Sequence, residues 1–327
     1  MSASDGSLQH LSIHTDLALE AHEAAISQGW KRQGVETESS AFAGGQVSRV
    51  RIVDQQGALR MGKPPGTYIT IEAPGLRAHD VELRETVSQI VAEELKRLLP
   101  ADRPGATLVV GLGNWHVTPD SLGPRVVDEL LVTRHLFEFA PDYVDDGMAS
   151  VCAIAPGVLG ITGIETGDII SGVVQQVKPG VVIAVDALAA RSLERLGTTI
   201  QLADTGIHPG SGVGNKRRAL NQETLGVPVI AIGVPSVVYA NTIVLDAIDK
   251  ISETLQQAKL DGPLTKLSHQ ERGQLVQEVL SPIWGDLIVT PKETDEQIRQ
   301  MSKILAGGLN VALQPGLETS DTLRYLQ

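Results

Sequence analysis

Five continuous apolar segments limit most strongly which folds are open to this chain of 327 residues. They read TLVVGLG, SVCAIAP, VVIAVDA, TTIQLAD and VPVIAIGV, and helical or glycine-rich connections separate them. Strands that are apolar on both faces are typical of a parallel sheet covered by helices. An aromatic content of only 3% suits such close-packed layers. The sequence therefore predicts an α/β fold, a doubly wound and mostly parallel sheet with helices on both faces, over about Thr107 to Asp249.

Elements of other kinds precede this core. Residues 1–16 are polar and rich in turn formers, which predicts an arm. A helix is expected next, over 17–29, because small apolar side chains recur at helical spacing. Residues 46–73 hold three short β-prone pieces, VSRVRIV, ALRM and TYITIEA, and predict a small β-meander. An apolar stripe over 81–98 then predicts an amphipathic helix.

The last part of the chain, residues 265–327, predicts two further helices. The first covers LSHQERGQLVQEVLSPI, and the second starts at TPKE and is expected to end at Gly307 and Gly308. We expect these helices, the meander and the sheet to form a single domain over residues 17–327, preceded by the arm.

Charge and cysteine content argue against several classes of protein. A net charge of −12 does not suit phosphate contacts, so no nucleic-acid partner is expected. The single cysteine, Cys152, is predicted to be a small core side chain, and one cysteine cannot form an internal disulfide. No apolar run approaches the ~20 residues of a membrane span, and the first residues lack the pattern of a signal peptide. We therefore expect a cytoplasmic protein without a membrane partner.

Two aspartates follow apolar segments and are the main candidates for chemistry. Asp120 comes after TLVVGLG through the turn NWHVTP, and Asp186 ends VVIAVD before the helix-like ALAARSLERL. Each could simply start a helix, with Thr118 as the cap and Pro119 in the first turn before Asp120. Ligands of open α/β sheets lie beyond the carboxyl ends of the strands, where both aspartates are predicted. Two neighbouring aspartates can share a proton and activate water.

Other sites remain open from the residues alone. His116 and His208 could join the two aspartates in a metal site, although no motif such as HExxH supports it. The glycine-rich loop 206–214 could bind a nucleotide, but it lacks the spacing of a phosphate loop. Ser211 does not stand in a GxSxG motif, which argues against a serine hydrolase. A basic run could bind an acidic substrate and comprises Lys216, Arg217 and Arg218.

Several longer stretches match a known family. They are TDLALEAHE, VVGLGNWHVTPDSLGPRVVD, VIAVDALAARSLERLGTTIQLADTGIHPGSGVGNKRRAL, TLGVPVIAIGVPSVV and LIVTPKETDEQI. With these stretches the chain resembles the germination endopeptidases of endospore-forming bacteria, which degrade small acid-soluble spore proteins. The resemblance implies an aspartic-type peptidase with a fold similar to hydrogenase-maturation peptidases, with Asp120 and Asp186 as catalytic residues and neither cofactor nor metal. It also implies a homotetramer in the cytoplasm of the forespore and in the spore core.

The same resemblance implies that the arm is a propeptide. The family removes its arm by autocleavage at a copy of the substrate motif, which TDLALE provides here. The implied cut lies between Asp16 and Leu17. Two positions depart from the family: His14 replaces an arginine before the motif, and Tyr239 replaces an aspartate after GVPSVV. Neither departure touches the two proposed catalytic aspartates.

Overall fold

A β-sheet runs through the part of the chain that the computed structural model describes, namely residues 15–27, 30, 33–78, 80–207, 218–260, 262–284, 287–314 and 316. The strands are β1 (Val35–Phe42), β2 (Gly45–Ile52), β3 (Gly66–Glu72), β4 (Thr107–Gly111), β5 (Val151–Ile154), β6 (Val181–Ala190), β7 (Thr199–Ala203), β8 (Val229–Tyr239) and β9 (Ile288–Val289). The helices are α1 (Ala18–Ser27), α2 (Gln55–Met61), α3 (Val81–Leu98), α4 (Leu122–Asp128), α5 (Arg134–Phe139), α6 (Leu159–Thr162), α7 (Thr166–Val177), α8 (Gln222–Leu225), α9 (Ala240–Gln257), α10 (Pro263–Lys266), α11 (His269–Trp284) and α12 (Thr294–Leu313).

The sheet is mixed, with the order β1-β2-β3-β7-β8-β6-β4-β5, and β9 pairs with the end of β8. The strands β5, β4, β6 and β8 are parallel to one another. β7 is antiparallel to both of its neighbours, β3 and β8, so the prediction of a mostly parallel sheet is wrong for TTIQLAD. The connection from β6 to β7 holds only residues 191–198. A parallel crossover needs a dozen or more residues, so this short connection returns the chain in the opposite direction.

Helices pack on both faces of the sheet, and the α/β fold is confirmed. Side chains alternate between the two faces along β6. One face carries Ile183 and Val185 and is covered by α3, α4 and α12. The other face carries Val182 and Ala184, which pack against α7. Further along that second face, α1 and α2 cover β2 and β3.

The predicted meander is confirmed in its outer pieces and wrong in its middle one. VSRVRIV and TYITIEA form β2 and β3, but ALRM lies in α2. The Asp54 side chain accepts a hydrogen bond from the Gly57 amide and caps the start of α2, and Gly62 ends it with φ 63°. These two capping residues outweigh the β-prone composition of the segment. β1, which the sequence analysis does not predict, adds a largely exposed edge strand.

Two other predictions fail for reasons of packing. The sequence predicts a helix for ALAARSLERL, but β6 continues to Ala190 because Ala187 to Ala190 pair with β8. Gly307 and Gly308 lie inside α12 rather than at its end. A Cβ on Gly308 would lie 2.7 Å from a methyl group of Val91, so the missing side chains let α12 approach α3. Within the residues described, no helix combines the length and apolar character needed to cross a membrane.

Candidate active site

Asp120 lies on a turn that folds back onto the end of β4. The Asn114 amide is 3.0 Å from the Asp120 carbonyl oxygen and 2.8 Å from its Oδ2. Gly113 adopts φ 113°, and a Cβ there would lie 2.0 Å from the Asp120 carbonyl oxygen. Only glycine fits this close approach in that conformation. The sequence GLGN therefore holds the Asp120 carboxylate against the backbone that leaves β4.

The helix-capping interpretation of Asp120 needs correction. Thr118, Pro119 and Asp120 form a short 3-10 turn that starts after Val117, and Thr118 is not its cap. α4 begins only at Leu122, and no side-chain cap is formed at its start by Ser121. The Asp120 carboxylate accepts the Asn114 amide instead. Its placement is therefore determined by the β4 turn and not by a helix start.

Asp186 lies inside β6 and not at its end, where the sequence predicts it. The residue is only 7% exposed, and its Oδ1 accepts a hydrogen bond of 2.9 Å from the Ala187 amide. The alternation of the strand puts Asp186 on the same face as Val182 and Ala184. Because β6 is longer than predicted, Asp186 is buried in the sheet with further strand beyond it.

The segment that leaves β4 contacts the chain at or next to both aspartates. The Leu112 amide donates a 2.8 Å hydrogen bond to the carbonyl of Val185, the residue before Asp186. The next two residues, Gly113 and Asn114, contact Asp120. The segment 112–114 therefore contacts Asp120 and the backbone that leads into Asp186. The two carboxyl groups have different surroundings, since Asp120 is half-buried and Asp186 is buried.

Of the remaining candidates from the sequence, those that the structure describes form no metal-binding cluster with these aspartates. His116 is exposed, and its amide donates to the Asn114 side chain. Among the residues described, no three histidine, cysteine or acidic side chains converge to hold a metal ion. Arg218 is exposed and pairs with Asp168 at 3.3 Å. His208, Ser211, Lys216 and Arg217, and most of the loop 206–214, lie outside the described residues, as does His14.

The segment Thr15–Glu20 lies along the far part of β6, on the same face as Asp186. The Asp16 amide donates to the Ala189 carbonyl at 3.1 Å, and the Ala189 amide donates to the Asp16 carboxylate at 2.9 Å. Leu17 is fully buried in an apolar cluster with Leu188. The implied cleavage site is therefore bound to the strand that carries Asp186.

Two side chains that the sequence analysis missed hold the carbonyl group of Asp16. Lys63 Nζ donates to this oxygen at 2.9 Å, and Gln201 Nε2 donates to it at 3.0 Å. Gln201 Oε1 accepts the Ala18 amide at 2.6 Å. Burial lowers the pKa of Lys63, and the charges of Asp16 and Glu20 oppose this shift. A polar residue in the middle of the apolar run TTIQLAD was the one signal that could have identified Gln201.

Hydrogen bonds and ion pairs of the Glu20 carboxylate hold the C-terminal end of the segment Thr15–Glu20. Glu20 is 3% exposed and accepts the amides of Arg191 and Ser192 at 2.9 and 3.2 Å. Arg195 lies 3.3 Å from Glu20 and also pairs with Glu23 and Glu72. Burial opposes the charge of Arg195, but the hydrogen bond to Glu23 and the three carboxylates raise its pKa overall. A cavity of about 520 Å³ opens beside this cluster.

Cys152 and Tyr239 occupy packed positions. Cys152 borders the core cluster under α7, and burial raises the pKa of its thiol. Tyr239 is 7% exposed at the end of β8 and forms an apolar cluster with Val237 and Ala189, the residue that pairs with Asp16. The position that departs from the family therefore lies next to the bound segment.

The structure is an α/β sheet with an aspartate-bearing turn at the end of a parallel strand, and comparisons with known proteins identify the family. The sequence profile of the family described as Germination protease matches residues 14–262 and 250–326. The Germination protease of Caldanaerobacter subterraneus is 50% identical over 321 residues, which cover 97% of this chain and 98% of that protein. Those of Clostridium acetobutylicum and Clostridium tetani are each 46% identical, covering 96% and 97% of this chain and 99% and 100% of the relatives. The chain belongs to the germination protease family and is a peptidase.

Proposed function

We propose that this chain is the endopeptidase that begins the degradation of small acid-soluble spore proteins at germination. In this proposal it is made as a zymogen, and the arm 1–16 is removed by its own cleavage between Asp16 and Leu17. Membership of the family and the names of its relatives support the activity. The observation that supports the mechanism is that Asp120 and Val185, the residue before Asp186, both accept hydrogen bonds from the segment 112–114 after β4.

The proposed chemistry is hydrolysis by an aspartate pair. One carboxylate takes a proton from water, and the water oxygen attacks the carbonyl carbon of the residue before the cut. The bond to the following nitrogen then breaks, and the second carboxyl group gives its proton to that nitrogen. The two products gain the atoms of one water molecule, and the pair returns to its singly protonated state. Neither a metal nor a cofactor takes part in these steps.

The finer features of the proposal follow the resemblance. We propose a doubly wound fold similar to hydrogenase-maturation peptidases and a single peptidase domain over residues 17–327. We also propose a homotetramer located in the cytoplasm of the forespore and in the spore core. Sedimentation of the purified protein tests the tetramer, and fluorescent fusions in sporulating cells test the location.

The experiment that tests the activity is an intact-mass time course of the full chain at mildly acidic pH. Wild type is compared with Asp120→Asn and Asp186→Asn, and Asp128→Asn, at an exposed position of α4, is the matched control. Wild type and the control should lose residues 1–16, while each catalytic variant should slow by at least ~10²-fold. The same proteins are then tested on a peptide that carries the TDLALE pattern.

Two results would contradict the proposal. Cleavage of either aspartate variant at the wild-type rate would remove the aspartate pair from the mechanism. Loss of wild-type activity in a chelator, with recovery on adding a divalent metal, would instead favour the metal site with His116 or His208.

A further inference from the structure

The carbonyl oxygen of Asp16 lies between two side-chain donors, Lys63 Nζ and Gln201 Nε2. We infer that Lys63 and Gln201 form the oxyanion-binding pair of self-cleavage and stabilise the negative charge that develops on this oxygen. The inference rests on the proposed function, because it takes the Asp16–Leu17 bond as the bond that is cut. It adds two catalytic residues to the aspartate pair.

The distances fit this role. Groups that stabilise an oxyanion lie about 2.7–3.1 Å from the oxygen that becomes charged. The two donors lie 2.9 and 3.0 Å from the Asp16 oxygen. A hydrogen bond from either donor strengthens as the acceptor becomes an anion. The pair is therefore matched to the intermediate of hydrolysis more than to the neutral carbonyl.

The pair is also held rigidly before any reaction. Lys63 follows Gly62, which ends α2 in the left-handed conformation, and the Tyr68 hydroxyl holds the next turn by donating to the Pro64 carbonyl at 2.8 Å. Gln201 lies within β7 and is 9% exposed. Since Gln201 Oε1 accepts the Ala18 amide, its Nε2 must face the Asp16 carbonyl. Preorganised donors need no rearrangement when the charge develops.

The register of the sheet puts Gln201 in line with Asp186. Gln201 of β7 and Asp186 of β6 both have Gly233 of β8 as their Cα partner. Directly opposite residues share a face, so Gln201 and Asp186 point to the same side, two strand spacings or about 10 Å apart. Gly233 contributes no side chain between them, and Leu188 leans over it, 2.4 Å from where a Cβ would lie. Leu188 shares an apolar cluster with Leu17, the residue after the cut.

In the reaction, the two donors keep their protons and only the charge on oxygen changes. Water adds to the Asp16 carbonyl carbon, and the electron pair of the carbonyl bond moves to the oxygen held by Lys63 and Gln201. When that pair returns, the bond to the Leu17 nitrogen breaks, and the nitrogen receives a proton from the aspartate pair. If the two donors contacted only the side-chain carboxylate of Asp16, they would anchor the arm but would not stabilise the charge on the carbonyl oxygen.

The test measures self-cleavage and docking of the arm in the same proteins. Lys63→Met and Gln201→Met remove the donors, while Lys63→Arg keeps a charged donor. Lys96→Met and Gln175→Met, at exposed helix positions, are the matched controls. Intact mass gives the cleavage rate, and hydrogen exchange of residues 17–27, read by mass spectrometry, reports whether the segment stays docked.

We expect Lys63→Met and Gln201→Met each to slow cleavage by ~10²-fold or more with exchange protection retained. Lys63→Arg should recover part of the rate, and both controls should cleave at the wild-type rate. If the donor variants cleave within ~3-fold of wild type, or slow only in proportion to a loss of protection, the inference is overturned. A wild type that stays intact overturns self-cleavage itself, and this is read from the wild-type sample alone.

Discussion

The close packing of Gly123 against β4 and β6 predicts a loss of activity from the smallest possible substitution. A Cβ on Gly123 would lie 2.3 Å from the Leu112 carbonyl oxygen and 2.6 Å from that of Val185. Ordinary contact starts at 3.4 Å, and both neighbours are backbone atoms within the sheet. In Gly123→Ala, α4 must therefore move by about 1 Å. The Asp120 turn precedes α4 directly and should move with it.

The expected magnitude is larger for the rate than for stability. A displacement of about 1 Å in a catalytic group can cost ~10²-fold in rate. Overpacking of this kind costs about 1–3 kcal/mol of unfolding free energy. Since a protein of this kind retains several kcal/mol of stability, the variant should stay folded at 25 °C.

The assay compares self-cleavage and peptide cleavage with the unfolding free energy from urea titration. Gly172→Ala is the matched control, because a Cβ at this position in α7 meets nothing within 4 Å. The control should keep its activity and gain about 0.5–1 kcal/mol, since alanine favours a helix over glycine. If Gly123→Ala cleaves within ~3-fold of wild type while remaining folded, the position of the Asp120 turn does not control the rate and the reasoning is wrong.

Two further predictions concern titratable groups outside the aspartate pair. Burial lowers the pKa of Lys63 from 10.5, against the charges of Asp16 and Glu20, so between the lowered value and 10.5 the unfolded chain binds more protons. The comparison uses Asp120→Asn with and without Lys63→Met, so that neither protein cleaves itself. The unfolding free energy of the protein with Lys63, minus that of the protein with Met at this position, should rise as the pH approaches 10.5. A difference that stays constant with pH would refute this prediction. Because burial raises the pKa of the Cys152 thiol, alkylation at neutral pH should be slower than for free cysteine, and Cys152→Ala should keep full peptidase activity. Fast labelling with loss of activity would contradict that.

The sequence predicts the central part of the fold because strands and helices that are buried there show regular apolar patterns. Apolar runs on both faces mark β4, β5, β6 and β8, and the stripe over 81–98 marks α3. Prediction from the sequence fails where tertiary contacts outweigh the local secondary-structure preference. Ala187 to Ala190 have helical propensity but pair with β8, and Gly307 and Gly308 extend α12 because α3 packs against them.

The residues of the candidate site also differ in whether the sequence could predict them. Asp120 and Asp186 could be proposed because each follows an apolar run, and the ends of adjacent parallel strands meet at one edge. The contacts of Lys63 and Gln201 with Asp16 could not be predicted, because they span 47 and 185 residues, and Gln201 stands out only as a polar residue within an apolar run. Their role depends on contacts that the residues after α2 and in β7 make with the segment before α1, and no local pattern encodes those contacts.

The register of β7 against β8 places Gln201 and Asp186 on one face of the sheet. Side chains alternate along a strand, so a shift of one residue in the pairing of β7 with β8 would turn Gln201 into the layer of Ile200 and Leu202, away from Asp186. That layer is occupied by the core under α3 and α12, which fixes the register through the burial of both residues. The position of a proposed catalytic amide is therefore set by apolar residues on the opposite face of the sheet. Substitutions at Ile200 or Leu202 should accordingly affect self-cleavage through the sheet, without any contact with the cut bond.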